Sequence, residues 1–122
     1  MPRVVHFDIH AENPEKLAEF YEKTFGWTFQ KWEGPMDYWL VMTGPEDEPG
    51  IDGGMSRKSD SQFGNVNTLD VPSVDEYSRK VEEAGGTIVV PKMAVPGVGW
   101  LAYFKDPDGN VFGMMEDDQS AG

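Results

Sequence analysis

No cysteine occurs anywhere in the 122 residues. Disulfides, thiol nucleophiles and thiolate metal ligands are excluded together, and a reducing, cytoplasmic setting is expected. Positive charge is scarce: 10 Lys and Arg stand against 22 Asp and Glu, a formal net charge of −12. So acidic a chain lacks the clustered cations that phosphate requires, so neither nucleic acid nor an anionic membrane is an expected partner. No apolar run approaches the ~18–20 residues that span a bilayer. The start, "MPRVVHF", has no apolar stretch with a small-residue cleavage site, so no signal peptide is expected. A Gly-rich phosphate loop ending in Lys-Ser/Thr, a nucleophile elbow and zinc-type Cys/His spacing are all missing. Histidine is almost absent too, with only His6 and His10.

What is present describes a folding chain. Hydrophobic residues make up 39% and aromatics 12%, enough for one domain with a real core and too little length for two independent ones. The acidic runs "PEDEP" (Pro45 to Pro49) and "MEDD" (Met115 to Asp118) read as solvated surface.

The pattern of elements runs twice. "RVVHFDIHA" alternates as a half-buried strand, with Val5, Phe7 and Ile9 on one face and His6, Asp8 and His10 on the other. A helix follows, capped by Asn13, opened by Pro14 and closed by Gly26, with Leu17, Phe20, Tyr21 and Phe25 as its apolar stripe. Three shorter strands come next, "WTFQKWE", "DYWLVMTG" and "GIDGGMSR", and then a polar connector, "KSDSQFG". The order then recurs: strand "NVNTLDV", a helix capped by Ser73, and strands "TIVVPKM", "GWLAYFKD" and "NVFGMME", the last two joined by the turn "DPDGN". The landmarks His6/Val66 and Gly26/Gly86 lie 60 residues apart, the two "WL" pairs 61 and the two "GM" pairs 59. This agreement points to an internal duplication of a β-α-β-β-β unit. The expected fold class is therefore α+β, one domain over 1–122 built of two βαβββ modules, about 3–58 and 64–117.

Each helix is expected to cover one face of its own sheet, over Phe7 and Ile9 in the first module and Asn67, Leu69 and Val71 in the second. The uncovered faces would curve around a cleft. His6, Asp8 and His10, and at the matching places Val66, Thr68 and Asp70, are then cleft-facing, and Trp100 is the tryptophan assigned to the cleft lining. "PKMAVPGVGW" (Pro91 to Trp100), with two prolines and two glycines, is expected to be a mobile loop over that cleft, rather than an edge strand broken by proline, with Lys92 as a candidate for an anionic ligand.

"FYEKTFGW" at the end of the first helix and "FKDPDGNVF" before the last strand, with the doubled module, resemble the vicinal oxygen chelate superfamily of glyoxalases, bleomycin-resistance proteins and extradiol dioxygenases. The likeness covers Arg3 to about Asp117. It implies the paired-module fold with a curved mixed sheet around a cleft, a small organic ligand and a homodimer. Metal-using members place four cleft positions around a divalent ion, and in this chain these are His6, Gly54, Val66 and Gly113. Only His6 carries a donor. An ion needs about three protein ligands at ~2.0–2.2 Å, so no metal or other cofactor is expected. An improvised site would use "HFDIH" with Thr68, Asp70 or a partner chain as third ligand.

Gly54 and Gly113 themselves read in two ways: as room for a ligand in a less charged cleft, or as paired bulges that curl the sheets. For function, three readings stay open. The first is a small-molecule-binding protein without the metal, in which His6, Asp8 and His10 hydrogen-bond or exchange protons with the ligand. The second is a metal-dependent lyase, isomerase or dioxygenase using His6. The third is an interaction module acting through the acidic loop from Pro45 to Gly50. Whether the protein is an enzyme is left open by the sequence.

Overall fold

A computed structural model describes residues 2–35, 37–58 and 64–122. Most of the polar connector "KSDSQFG" falls outside the described residues. The chain divides into two compact units, His6–Val66 and the residues up to Val5 joined to Asn67–Gly122.

In the first, β1 (Val4–Ala11) leads into α1 (Pro14–Phe25), followed by β2 (Thr28–Lys31), β3 (Tyr38–Met42) and β4 (Gly53–Arg57). β1 and β4 are parallel, with Asp8 beside Gly54; β4 and β3, and β3 and β2, are antiparallel. α1 starts where Asn13 accepts from the Lys16 N–H, and ends where Gly26 adopts φ 75°, a left-handed conformation with little cost only for glycine. Ile9, Ala11, Ala18, Trp39, Val41 and Met55 form the core beneath it, with Phe7, Leu17, Tyr21, Trp27 and Phe29 packed around them. Tyr21 and Trp27 stack with centroids 4.8 Å apart. Of the expected helix stripe, Phe20 and Phe25 remain exposed (52% and 63%).

The second unit repeats the plan: β5 (Asn65–Asp70), α2 (Val74–Glu83), β6 (Thr87–Val95), β7 (Gly99–Lys105) and β8 (Val111–Asp117). β5 and β8 are parallel, and β8–β7 and β7–β6 are antiparallel. Thr68 lies beside Gly113 as Asp8 lies beside Gly54. Val71, Val74, Ala102 and Met114 are the core under α2, with Leu69, Tyr77, Val81, Ile88, Trp100 and Phe104 around them. Asn67, expected on the covered face with Leu69 and Val71, is exposed instead.

Two further expectations require correction. Residues 91–95 are not a loop: β6 extends through them to Val95 and pairs with β7, leaving only a turn before Gly99. The register breaks between Val90 and Met93, the step that contains Pro91, and once before it, between Ile88 and Val90. Proline has no N–H to donate, so an irregular strand at the end of the sheet order accepts it at little cost. The "WL" landmarks are also not equivalent, since Trp39 pairs with Met55 but Trp100 with Glu116, two residues beyond Met114. Among the described residues no helix is long and apolar enough to cross a membrane.

Candidate functional site

The alternation of β1 puts Phe7 and Ile9 beneath α1 and turns His6 and Asp8 to the other face. There they meet a residue from two strands away. The Tyr38 hydroxyl donates to Asp8 Oδ1 at 3.2 Å, and His6 Nε2 lies 3.2 Å from the Tyr38 oxygen and 3.3 Å from Asp8 Oδ1. Asp8 is nearly enclosed, its side chain 12% exposed, while the His6 ring is 34% exposed. A nearly buried carboxylate is tolerable only when it is bonded in this way.

Tyr38 is held at both ends. Its carbonyl accepts from the Trp32 N–H at 2.8 Å, and the Trp32 ring meets its ring edge-on, centroids 6.1 Å apart. Its hydroxyl end lies over Gly54, in the space a side chain at position 54 would enter. Gly54 is thus neither a bulge nor an opening. Register runs through it without a break, from Trp39–Met55 to Val41–Gly53, and the volume above it is filled by the phenol.

His10 is separated from this group by its bonding. Its Nδ1–H donates to the Gly64 carbonyl at 2.8 Å, and its backbone N–H donates to the same oxygen at 3.2 Å. "HFDIH" is therefore a pair, His6 and Asp8, plus one imidazole that ties down the chain at Gly64.

In the second unit, Thr68 and Gly113 are paired across β5 and β8, with Tyr103 above the glycine. A Cβ at Gly113 would lie 2.9 Å from Thr68 Oγ1 and 3.1 Å from the Tyr103 ring. Thr68 is buried, at 3% exposure, and so is Val66 at the end of the first unit, at 1%. Asp70 is exposed and joins Pro2, Tyr77, Glu116 and Asp117 in lining an open recess of about 460 Å³. Trp100 packs with the core under α2; its Nε1–H donates to Asp118 at 3.0 Å, and Lys92 lies over its ring at 4.6 Å. Lys92 is also committed to Asp75 at 2.9 Å, so this cation is employed within the α2 unit.

A divalent ion does not fit the donors that are present. His6 and Asp8 supply two groups, and position 54, where a third would project, is a glycine roofed by Tyr38. Among the described residues no three His, Cys, Asp or Glu side chains group closely enough to hold a metal. What the arrangement offers instead is proton exchange and hydrogen bonding through a carboxylate, an imidazole and a phenol.

The sequence shows Tyr38 only as the start of a strand and gives it no place in the site. The available signal was Gly54, because glycine within a strand often marks the close approach of another group.

The model of the Glyoxalase/Bleomycin resistance protein/Dioxygenase superfamily matches residues 3–114. A search of curated proteins finds no match. Among solved structures, the methylmalonyl-CoA epimerase of Mycobacterium tuberculosis is similar with a TM-score of 0.65 and 14% identity, over 93% of this chain and 87% of that one. A methylmalonyl-CoA epimerase in complex with methylmalonyl-CoA and NH4+ gives 0.68 at 12% identity, over 100% and 99% of the two chains. A superfamily member from Vibrio splendidus 12B01 gives 0.62 at 17%, over 97% and 100%. At such identities the likeness carries the fold and not the chemistry.

Proposed function

Because this chain belongs to the Glyoxalase/Bleomycin resistance protein/Dioxygenase superfamily, we propose that it binds a small organic molecule without a divalent metal, using His6 and Asp8 on the sheet face away from α1. The observation that carries this reading is the Tyr38 hydroxyl above Gly54, bonded to Asp8 and beside His6. A phenol stands where a metal-using relative would project a ligand, and it spends its proton on the carboxylate. The site thereby keeps polar recognition and loses the three-donor geometry that an ion requires.

The reading includes a homodimer, supported by the family likeness, and a cytoplasmic setting, supported by the cysteine-free composition. Light scattering checks the first.

Elemental analysis of protein purified without chelator tests the central claim. We expect zinc, nickel, manganese and iron well below one per chain, and no change in melting temperature on adding these ions after dialysis. A full equivalent of any of them, lost in His6→Ala, overturns the reading in favour of a metal-dependent enzyme.

A further inference from the structure

We infer that Asp8 and His6 form a catalytic dyad in which His6 Nδ1 is the general base, that Tyr38 is its positioning residue, and that its substrate is a small O–H acid, a phenol or an enol. The inference deepens the proposed function and rests on the same metal-free reading of this face.

The assignment of protons follows from the bonding. Tyr38 has one hydroxyl hydrogen, and it is given to Asp8 Oδ1 at 3.2 Å. His6 Nε2 is hydrogen-bonded to the Tyr38 oxygen at 3.2 Å and lies 3.3 Å from Asp8 Oδ1 as an ion-pair contact. With the phenol's proton on Asp8, the Tyr38 oxygen is left as the acceptor, which assigns the proton to Nε2 and the lone pair of the neutral ring to Nδ1. Nδ1 makes no hydrogen bond among the described residues, and the ring that carries it is one-third exposed. This is the division of labour a base requires: a carboxylate fixes one nitrogen's tautomer and offsets the charge that develops, while the other nitrogen meets the substrate.

His10 is held differently: its Nδ1–H donates to the Gly64 carbonyl at 2.8 Å, a neutral acceptor, whereas His6 Nε2 faces the carboxylate of Asp8.

The substrate class follows from Nδ1 as an acceptor. An O–H donor is held by the same hydrogen bond along which its proton then moves. The O–H bond breaks with its electron pair left on the substrate oxygen, and a new N–H bond forms at Nδ1. The resulting imidazolium lies against Asp8, and returning the proton to substrate or water restores the neutral ring. No oxidant, reductant or metal enters the balance.

The probe is 4-nitrophenol, whose phenolate is coloured, at a pH where the free compound is mostly protonated. Adding wild-type protein should raise the phenolate band saturably. His6→Gln should abolish the rise, Asp8→Asn should reduce it about tenfold, Tyr38→Phe should reduce it less, and His10→Gln should leave it unchanged. ¹⁵N NMR of the wild type, which needs no ligand, should show neutral His6 protonated on Nε2, with Tyr38→Phe and Asp8→Asn progressively mixing the two tautomers. A tautomer protonated on Nδ1, an Nε2 tautomer indifferent to Asp8→Asn, the absence of a phenolate band, or a band that survives His6→Gln overturns the dyad. These failures leave the metal content unchanged, whereas a stoichiometric ion would defeat the underlying reading, so the two are told apart.

Discussion

The hydroxyl of Tyr38 fills the space that a Cβ on Gly54 would claim. Tyr38 begins β3 and Gly54 lies in β4, where its direct partner is Leu40. The phenol reaches its glycine diagonally across the antiparallel pair, within the reach of a long side chain. Gly54→Ala should therefore push the phenol off Asp8 and His6 and destabilise the fold by about 1–3 kcal/mol, as overpacking does. In a Tyr38→Ala background the same change should cost less, with a coupling of about 0.5–3 kcal/mol. A double-mutant cycle by urea unfolding measures both, and strict additivity would contradict the contact.

The two cores are centred on methionines in equivalent places. Met55 is 0% and Met114 1% exposed. Met55→Ala and Met114→Ala should each cost about 2–5 kcal/mol, from lost transfer energy and the cavity left behind. Denaturant midpoints at an unchanged m-value check this.

Each helix begins on a side-chain cap. Asn13 accepts from the Lys16 N–H at 3.3 Å and Ser73 from the Glu76 N–H at 3.1 Å. Asn13→Ala and Ser73→Ala should each lower stability by about 0.5–2 kcal/mol. The glycine variants should lose only a few tenths of that unit, since they retain the cap's backbone conformation. Thermal unfolding of the four variants separates the two effects.

Three carboxylates sit below their ordinary value of 3.8: Asp37 through its bond from Lys31, Asp106 through the Asn110 side chain, and Asp118 through Ser120 and then Trp100. A depressed carboxylate stabilises the fold fully above its unfolded value and loses that contribution as pH falls through its folded value. Stability should therefore hold from neutral pH to about pH 5 and fall progressively below about pH 4. The fall should be shallower in Asp106→Asn, whose side chain cannot titrate. Urea midpoints followed against pH test this; an acid limb identical in the variant would remove Asp106 from the account.

The doubled module, the caps at Asn13 and Ser73, and the faces of β1 were legible because each rests on local chemistry. Alternation separates Phe7 and Ile9 from His6 and Asp8 within five residues. Pro91 was misread because a proline in an irregular end strand and a proline in a loop look alike until the partner strand is seen. Trp100 and Trp39 were matched by a dipeptide, although strand register sets them two residues out of step.

Composition and periodicity alone determined that this chain is acidic, thiol-free and twice βαβββ, with two imidazoles and one carboxylate sharing a strand face. Only the tertiary structure decided which side chains meet on that face. Strand pairing brought Tyr38, 30 residues from Asp8, to the carboxylate, and took His10 away to Gly64. Contacts of that kind depend on register across neighbouring strands, and no periodicity along a single strand encodes them.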